Sequence, residues 1–281
     1  MVQVNIIKKI GKYSLNQIQN VMVVFMRLFG LIDYPVPPNS SMRKTSSCSI
    51  RHYYDSGLRT SMPIATCALY ENVKLNEQIR ILDFGCGVGR QLLHFTRYFS
   101  NPDYYACDID DTSIDFIAKF YPNVKSYTSS FHPPLNYEDN FFDMIYSVSI
   151  FSHLCLEDQQ IWLAELARIT KPGGICLLTT EGLTAVKSLT QDFETEEHRL
   201  FDDLERCGYL YKEYEYLKDS IKDQNTLRVT SLAVGVDGSY GNTVMSPNYI
   251  KKEWNSSFFE VINIVEGIID CRQDLIILRR R

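Results

Sequence analysis

Arg80-Ile81-Leu82-Asp83-Phe84-Gly85-Cys86-Gly87-Val88-Gly89-Arg90 decides the fold. Ile81 and Leu82 fit a buried central strand. The glycines at alternate positions let the backbone turn sharply and approach a ligand that a Cβ would push away. An apolar strand that ends in a glycine turn and opens a helix points to a nucleotide-like cofactor. The spacing is G-x-G-x-G. A dinucleotide fingerprint, G-x-G-x-x-G, would need its third glycine at position 90, where the chain has Arg90, so the motif points away from NAD.

Support follows at the right distance. After an amphipathic stretch from Gln91 to Phe99 comes Tyr104-Tyr105-Ala106-Cys107-Asp108-Ile109-Asp110, a second apolar run ending in a carboxylate. It lies about 20 residues past the glycines, where such folds bind ribose hydroxyls. Asp108 is the ribose candidate, because an ionised carboxylate only accepts hydrogen bonds and can take one from each of two vicinal hydroxyls.

From about Ser56 to Arg281 the chain resembles the class I S-adenosylmethionine-dependent methyltransferases. Besides the glycine run and Asp108, the resemblance rests on Pro133-Pro134-Leu135-Asn136-Tyr137-Glu138-Asp139-Asn140-Phe141-Phe142-Asp143, similar to the approach to strand four. Met144 to Leu154 is similar to that strand and its exit loop, and Trp162 to Gly174 to a helix and Pro-Gly-Gly turn before strand five, Ile175 to Thr180. The resemblance implies a Rossmann-like, doubly wound α/β sheet, mostly parallel. Phe258 to Val265 and Leu275 to Leu278 would form an antiparallel pair closing it. S-adenosylmethionine would be the cofactor and S-adenosylhomocysteine the product. The implied cofactor set is Asp83, Gly85, Cys86, Gly87 and Gly89 around the methionine end, Asp108 and Ile109 at the ribose, Ser130 and Phe131 near adenine, and Ser147.

Two regions flank this core, giving an N-terminal helical arm and loop over 1–56 and a methyltransferase domain over 57–281 with a cap insertion at about 183–254. In the arm, Ile6, Ile7, Ile10, Ile18, Val21, Met22 and Phe25 recur at helical spacing until Pro35-Val36-Pro37-Pro38, and 39–55 reads as a polar loop. The arm is read as a helix capping the core, with a mobile lid, a dimer contact, or membrane docking through Lys8, Lys9 and Lys12 as alternatives. The cap holds an acidic helical stretch (Phe193 to Cys207), an aromatic run (Tyr209 to Tyr216) and a strand-like segment (Ser231 to Val236).

Composition fits a soluble cytoplasmic enzyme: 281 residues with 45% hydrophobic content suffice for a full core. Eight scattered cysteines without a C-x-x-C pair read as free thiols, and no metal site is expected. The apolar run near Val21 is too short to span a bilayer. Net charge is −5, with +6 in residues 1–60 and −5 in 184–225. That balance lacks the basic footprint of phosphate recognition, so the expected acceptor is an oxygen or nitrogen of a small molecule (a specialised metabolite, sugar or lipid-linked intermediate), and no nucleic acid.

Methyl transfer can proceed largely by positioning, yet an oxygen nucleophile must lose a proton. His153, in the loop leaving strand four, is the candidate catalytic base. His94 is read as structural, His132 as a rim residue, Trp162 as core, and Gln273-Asp274 as a structural strand entry. Two alternatives are a non-catalytic S-adenosylmethionine-binding or scaffold protein on the same fold, and an oxidoreductase, disfavoured by Arg90.

Overall fold

The computed structural model describes residues 22, 23, 25, 26, 28–44, 49–189, 202–213 and 240–281. The readings for residues 1–21, Phe193 to Phe201 and Ser231 to Val236 lie outside them.

Period-two alternation builds the molecule. The strands β1 (Arg80–Phe84), β2 (Asp103–Asp108), β4 (Phe142–Ser147), β5 (Thr170–Glu181) and β9 (Gln273–Arg280) are buried on both faces. Ile81, Tyr104, Ala106, Met144, Tyr146, Ile175 and Leu177 pack into one core. Their neighbours Leu82, Phe84, Tyr105, Cys107, Ile145, Cys176 and Leu178 pack into the other. Near-continuous apolar runs are what a parallel sheet covered on both faces requires. With β3 (Val124–Thr128) the parallel order is β3-β2-β1-β4-β5.

The closing strands are as expected in kind and longer in extent. β8 (Phe259–Ile269) pairs antiparallel with β9, which runs antiparallel to β5 with Glu181 opposite Gln273. The insertion supplies two further strands, β6 (Tyr209–Glu213) and β7 (Gly241–Met245). They pair antiparallel, and β7 joins the end of β5 at Glu181↔Val244. Gly241, Thr243 and Met245 alternate inward over only five residues, too short a pattern to stand out in the sequence.

Residues 39–55 are not a plain loop. Helix α1 spans Asn39–Lys44, and α2 starts at Ile50 and runs to Tyr70 across the 56/57 boundary. Ser49 caps α2 by accepting from the His52 N–H at 3.1 Å, a local signal that the polar composition hid. Tyr53, Gly57, Thr60, Ile64 and Ala68 form the buried face of α2. There α2 meets α3 (Leu92–Tyr98), with α4 (Asp111–Phe120) next along the same side of the sheet. A Cβ at Gly57 would strike the Arg90 carbonyl oxygen and lie 3.0 Å from His94 Cδ2. Substituting Gly57→Ala gains about 1 kcal/mol of helix propensity, but forcing helix from backbone costs about 1–3 kcal/mol. A net loss on the order of 1 kcal/mol is expected in urea unfolding; a more stable variant would show that the helices part freely.

Candidate active site

The glycine turn is fastened to the end of β2. The Gly85 and Cys86 N–H groups both donate to the Cys107 carbonyl, at 2.9 and 3.1 Å. One Asp108 carboxylate oxygen accepts from the Gly87 N–H at 2.7 Å, and the other from the Asp110 N–H at 2.9 Å. Gly85 and Gly87 have φ of 76° and 50°, where a side chain is strained, and a Cβ on Gly85 would run into the Ile150 side chain.

These elements line a cleft of about 530 Å³ at the carboxyl ends of the strands, within the usual size of a ligand site. Of the sequence candidates, Gly85, Cys86, Gly87, Asp108, Ile109, Ser130, Phe131 and His153 line it; Asp83, Gly89 and Ser147 do not. Asp83 lies buried beneath the turn and accepts from the Tyr146 hydroxyl at 3.0 Å. Gly89 packs toward Ile117, and Ser147 is buried at the end of β4.

His153 is held from two sides by β7. Its backbone carbonyl accepts from the Gly241 N–H at 2.9 Å, and its Nδ1 lies 2.9 Å from the Gly241 carbonyl. A carbonyl only accepts, so Nδ1 carries the proton in that contact and Nε2 holds the lone pair of the neutral ring. Burial holds the imidazole below its ordinary 6.5, partly offset by the Gly241 bond. Neutral at pH 7, it can act as a base. His94 is structural as read, its Nε2 donating to the Tyr54 carbonyl at 3.0 Å. His132 lies 3.3 Å from Asp158, outside the cleft lining.

Sequence reasoning missed several lining residues. Thr60 arrives from α2. Arg90, noted only as the residue that breaks a dinucleotide motif, lines the cleft, and its Nε is buried without a hydrogen-bond partner among the described residues. Gln273, read as structural, bonds Ser149 Oγ at 3.0 Å and lines the cleft beside Glu181, Arg272 and Tyr240. Trp162 is both core, 4.7 Å from the Phe84 ring, and cleft wall. Asp274 stays out of the cleft lining, accepting from the Gly267 N–H at 2.7 Å. No group of three or more His, Cys, Asp or Glu residues among the described residues could hold a metal ion. Nor is any described helix long and apolar enough to cross a membrane.

Burial pushes the Asp83 carboxyl from its ordinary 3.8 to about 8, against the opposing Tyr146 bond. A carboxyl raised on folding loses native stability as pH climbs from the unfolded value through the folded one. Asp83→Asn, which keeps an acceptor for Tyr146, should therefore remove that loss. The difference between its urea midpoint and that of the unaltered protein should shift in the variant's favour between pH 5 and pH 9; parallel midpoints would mean Asp83 titrates normally.

Comparison with known proteins agrees with this geometry. Residues 82–178 match the family described as Methyltransferase domain. The mouse (Mus musculus) tRNA N(3)-cytidine methyltransferase METTL2 is 30% identical over 112 residues, covering 37% of this chain and 29% of that protein, and the zebrafish, chicken and bovine forms also match. The chain thus spans about a third of the length of the curated relatives it matches. Two solved structures share the fold. One is a Haloferax volcanii methyltransferase in complex with the Trm112 activator (14% identity, TM-score 0.53, 86% of this chain and 96% of that one). The other is the Burkholderia thailandensis 1,6-didemethyltoxoflavin-N1-methyltransferase (11% identity, TM-score 0.51, 89% and 93%).

The METTL2 relatives overturn the expectation of a small-molecule acceptor with nucleic acid excluded. Net charge averages over the whole chain, whereas phosphate contacts are local and base recognition happens inside a cleft. Residues 82–178 match a methyltransferase domain, and the doubly wound sheet around them has the fold of the class I S-adenosylmethionine-dependent methyltransferases.

Proposed function

We propose that this chain transfers a methyl group from S-adenosylmethionine to a nitrogen or oxygen nucleophile, with a ring nitrogen of a nucleobase as the acceptor class. The observation that carries the cofactor half is the pairing of the glycine turn with Asp108 at the mouths of β1 and β2. The relatives' printed activity supports the acceptor class. The cytoplasm is the proposed location, supported by free thiols at Cys86, Cys107 and Cys176.

The residues present fit that cofactor. Gly85 and Gly87 bring the positive-φ turn into the cleft wall, Asp108 offers acceptor oxygens for ribose hydroxyls, and Ser130 and Phe131 line the cleft beyond it. Arg90 brings a buried cation whose Nε lacks a described partner, suited to a carboxylate. Asp83 and Gly89 support the turn from behind. When bound, the cofactor supplies a sulfonium methyl group open to in-line displacement. The chain's own task is then to orient the nucleophile, exclude water and, for an oxygen or amine, take a proton at His153 Nε2.

Calorimetry with S-adenosylhomocysteine tests the first half. Asp108→Ala should weaken binding by at least about tenfold, the loss of charge-assisted hydrogen bonds. Unchanged affinity would remove Asp108 from the site. Labelled methyl transfer to RNA from the native source tests the second half; a label that stays on the cofactor would favour a binding protein on the same fold.

His153→Ala should lower turnover of a proton-losing acceptor by about 10²–10⁴ while leaving S-adenosylhomocysteine affinity intact. Because burial depresses its pKa, the acid limb of the rate profile should fall below pH 6.5. A ring nitrogen attacks with its own lone pair and gives up no proton, so full activity on that acceptor would leave His153 outside the chemistry, whereas full activity on an oxygen or amine acceptor would make it structural.

A further inference from the structure

At the end of β5, Glu181 is a carboxylate with one oxygen committed and one idle. Its side chain is 3% exposed, and Oε1 sits 2.6 Å from an Arg272 guanidinium nitrogen. Oε2 is buried and has no hydrogen-bond partner among the described residues. Both residues line the cleft. Leaving a buried charged acceptor unpaired is costly, and such an atom in a cleft wall suits a ligand that brings the missing donor.

Position tells which ligand. The ribose and glycine subsites sit on β2 and β1, whereas β4 separates β1 from β5. At about 4.8 Å per strand, Glu181 is about 10 Å or more from the cofactor's anchoring loop. It shares the lining with His153 and with Gln273, its partner across the β5–β9 ladder. The charge of Glu181 also acts on the His153 ring. This is the acceptor's side of the cleft.

We infer that Glu181, held by Arg272, selects the acceptor by receiving a hydrogen bond from an N–H donor next to the nucleophilic nitrogen, as in an amino-substituted pyrimidine. The inference rests on the methyltransferase reading above and deepens it. A carboxylate accepts and never donates, so it rejects a ring that offers a carbonyl at that position. When the ring lone pair forms the new N–C bond, the S–C pair stays on sulfur, and the positive charge left on the ring spreads onto the amino group. Glu181 Oε2 then binds that group more strongly than in the ground state.

The test uses the full chain saturated with S-adenosylhomocysteine and two probes, cytidine and pyrimidin-2-one riboside, which lacks only the 4-amino group. Binding is followed by NMR titration. The unaltered protein should prefer cytidine by at least about tenfold. Glu181→Gln should abolish the preference. Arg272 would keep the amide oxygen, turning the amide NH₂, a donor, toward the amine. Glu181→Asp, which withdraws the carboxylate by one methylene, should lose most of it. S-adenosylhomocysteine affinity should be unchanged in both. Equal binding of the two nucleosides, binding of neither, or a preference that survives in a variant that still binds S-adenosylhomocysteine overturns the inference. Failure of the unaltered protein to bind S-adenosylhomocysteine overturns the methyltransferase reading instead.

Discussion

The Asp108 carboxylate is the junction on which the site depends. By accepting from Gly87 and from Asp110, it ties the glycine turn after β1 to the turn after β2. The Cys107 carbonyl reinforces this through Gly85 and Cys86. The loop is thereby shaped before any ligand arrives, and pre-organisation of this kind lowers the entropic cost of binding. The strain of positive φ at Gly85 and Gly87 is absorbed by the one residue type that adopts it easily.

A second constraint acts at the far end of the cleft. Glu181 is where β5 contacts β9 on one edge and β7 on the other. The insertion thus reaches the site as sheet: β7 holds the loop that carries His153, and Thr243 donates to the Leu154 carbonyl. Arg272, at the turn between β8 and β9, closes over Glu181, while its neighbour Asp270 pairs with Arg59 on α2 at 2.7 Å. Three parts of the chain far apart in sequence meet at this end of the cleft.

The failed reading of acceptor class has a physical lesson. An acidic balance argues against nucleic acid, yet relatives named for tRNA match 112 residues, 37% of this chain. Overall charge governs long-range steering. It does not report what a cleft lined by Glu181, His153 and Gln273 can hold.

Much of the core was legible because its signals are local. Alternating apolar strands, a glycine run at a strand end and a carboxylate about 20 residues on each follow from backbone geometry within one βα unit, so they specify the parallel sheet and the face that binds a ligand. Ser49 was equally local but was masked by polar surroundings. Only the tertiary structure could decide the rest. Asp83 and Ser147, adjacent in motif to the ligand, are turned beneath the cleft, because successive strand residues face opposite sides. Arg90, Glu181, Arg272 and Gln273 carry no spacing pattern relative to one another. Glu181 and Gln273 are brought together, with Arg272 beside them, by β9 running back antiparallel to β5, a pairing between segments about 100 residues apart that leaves no periodic trace in the sequence.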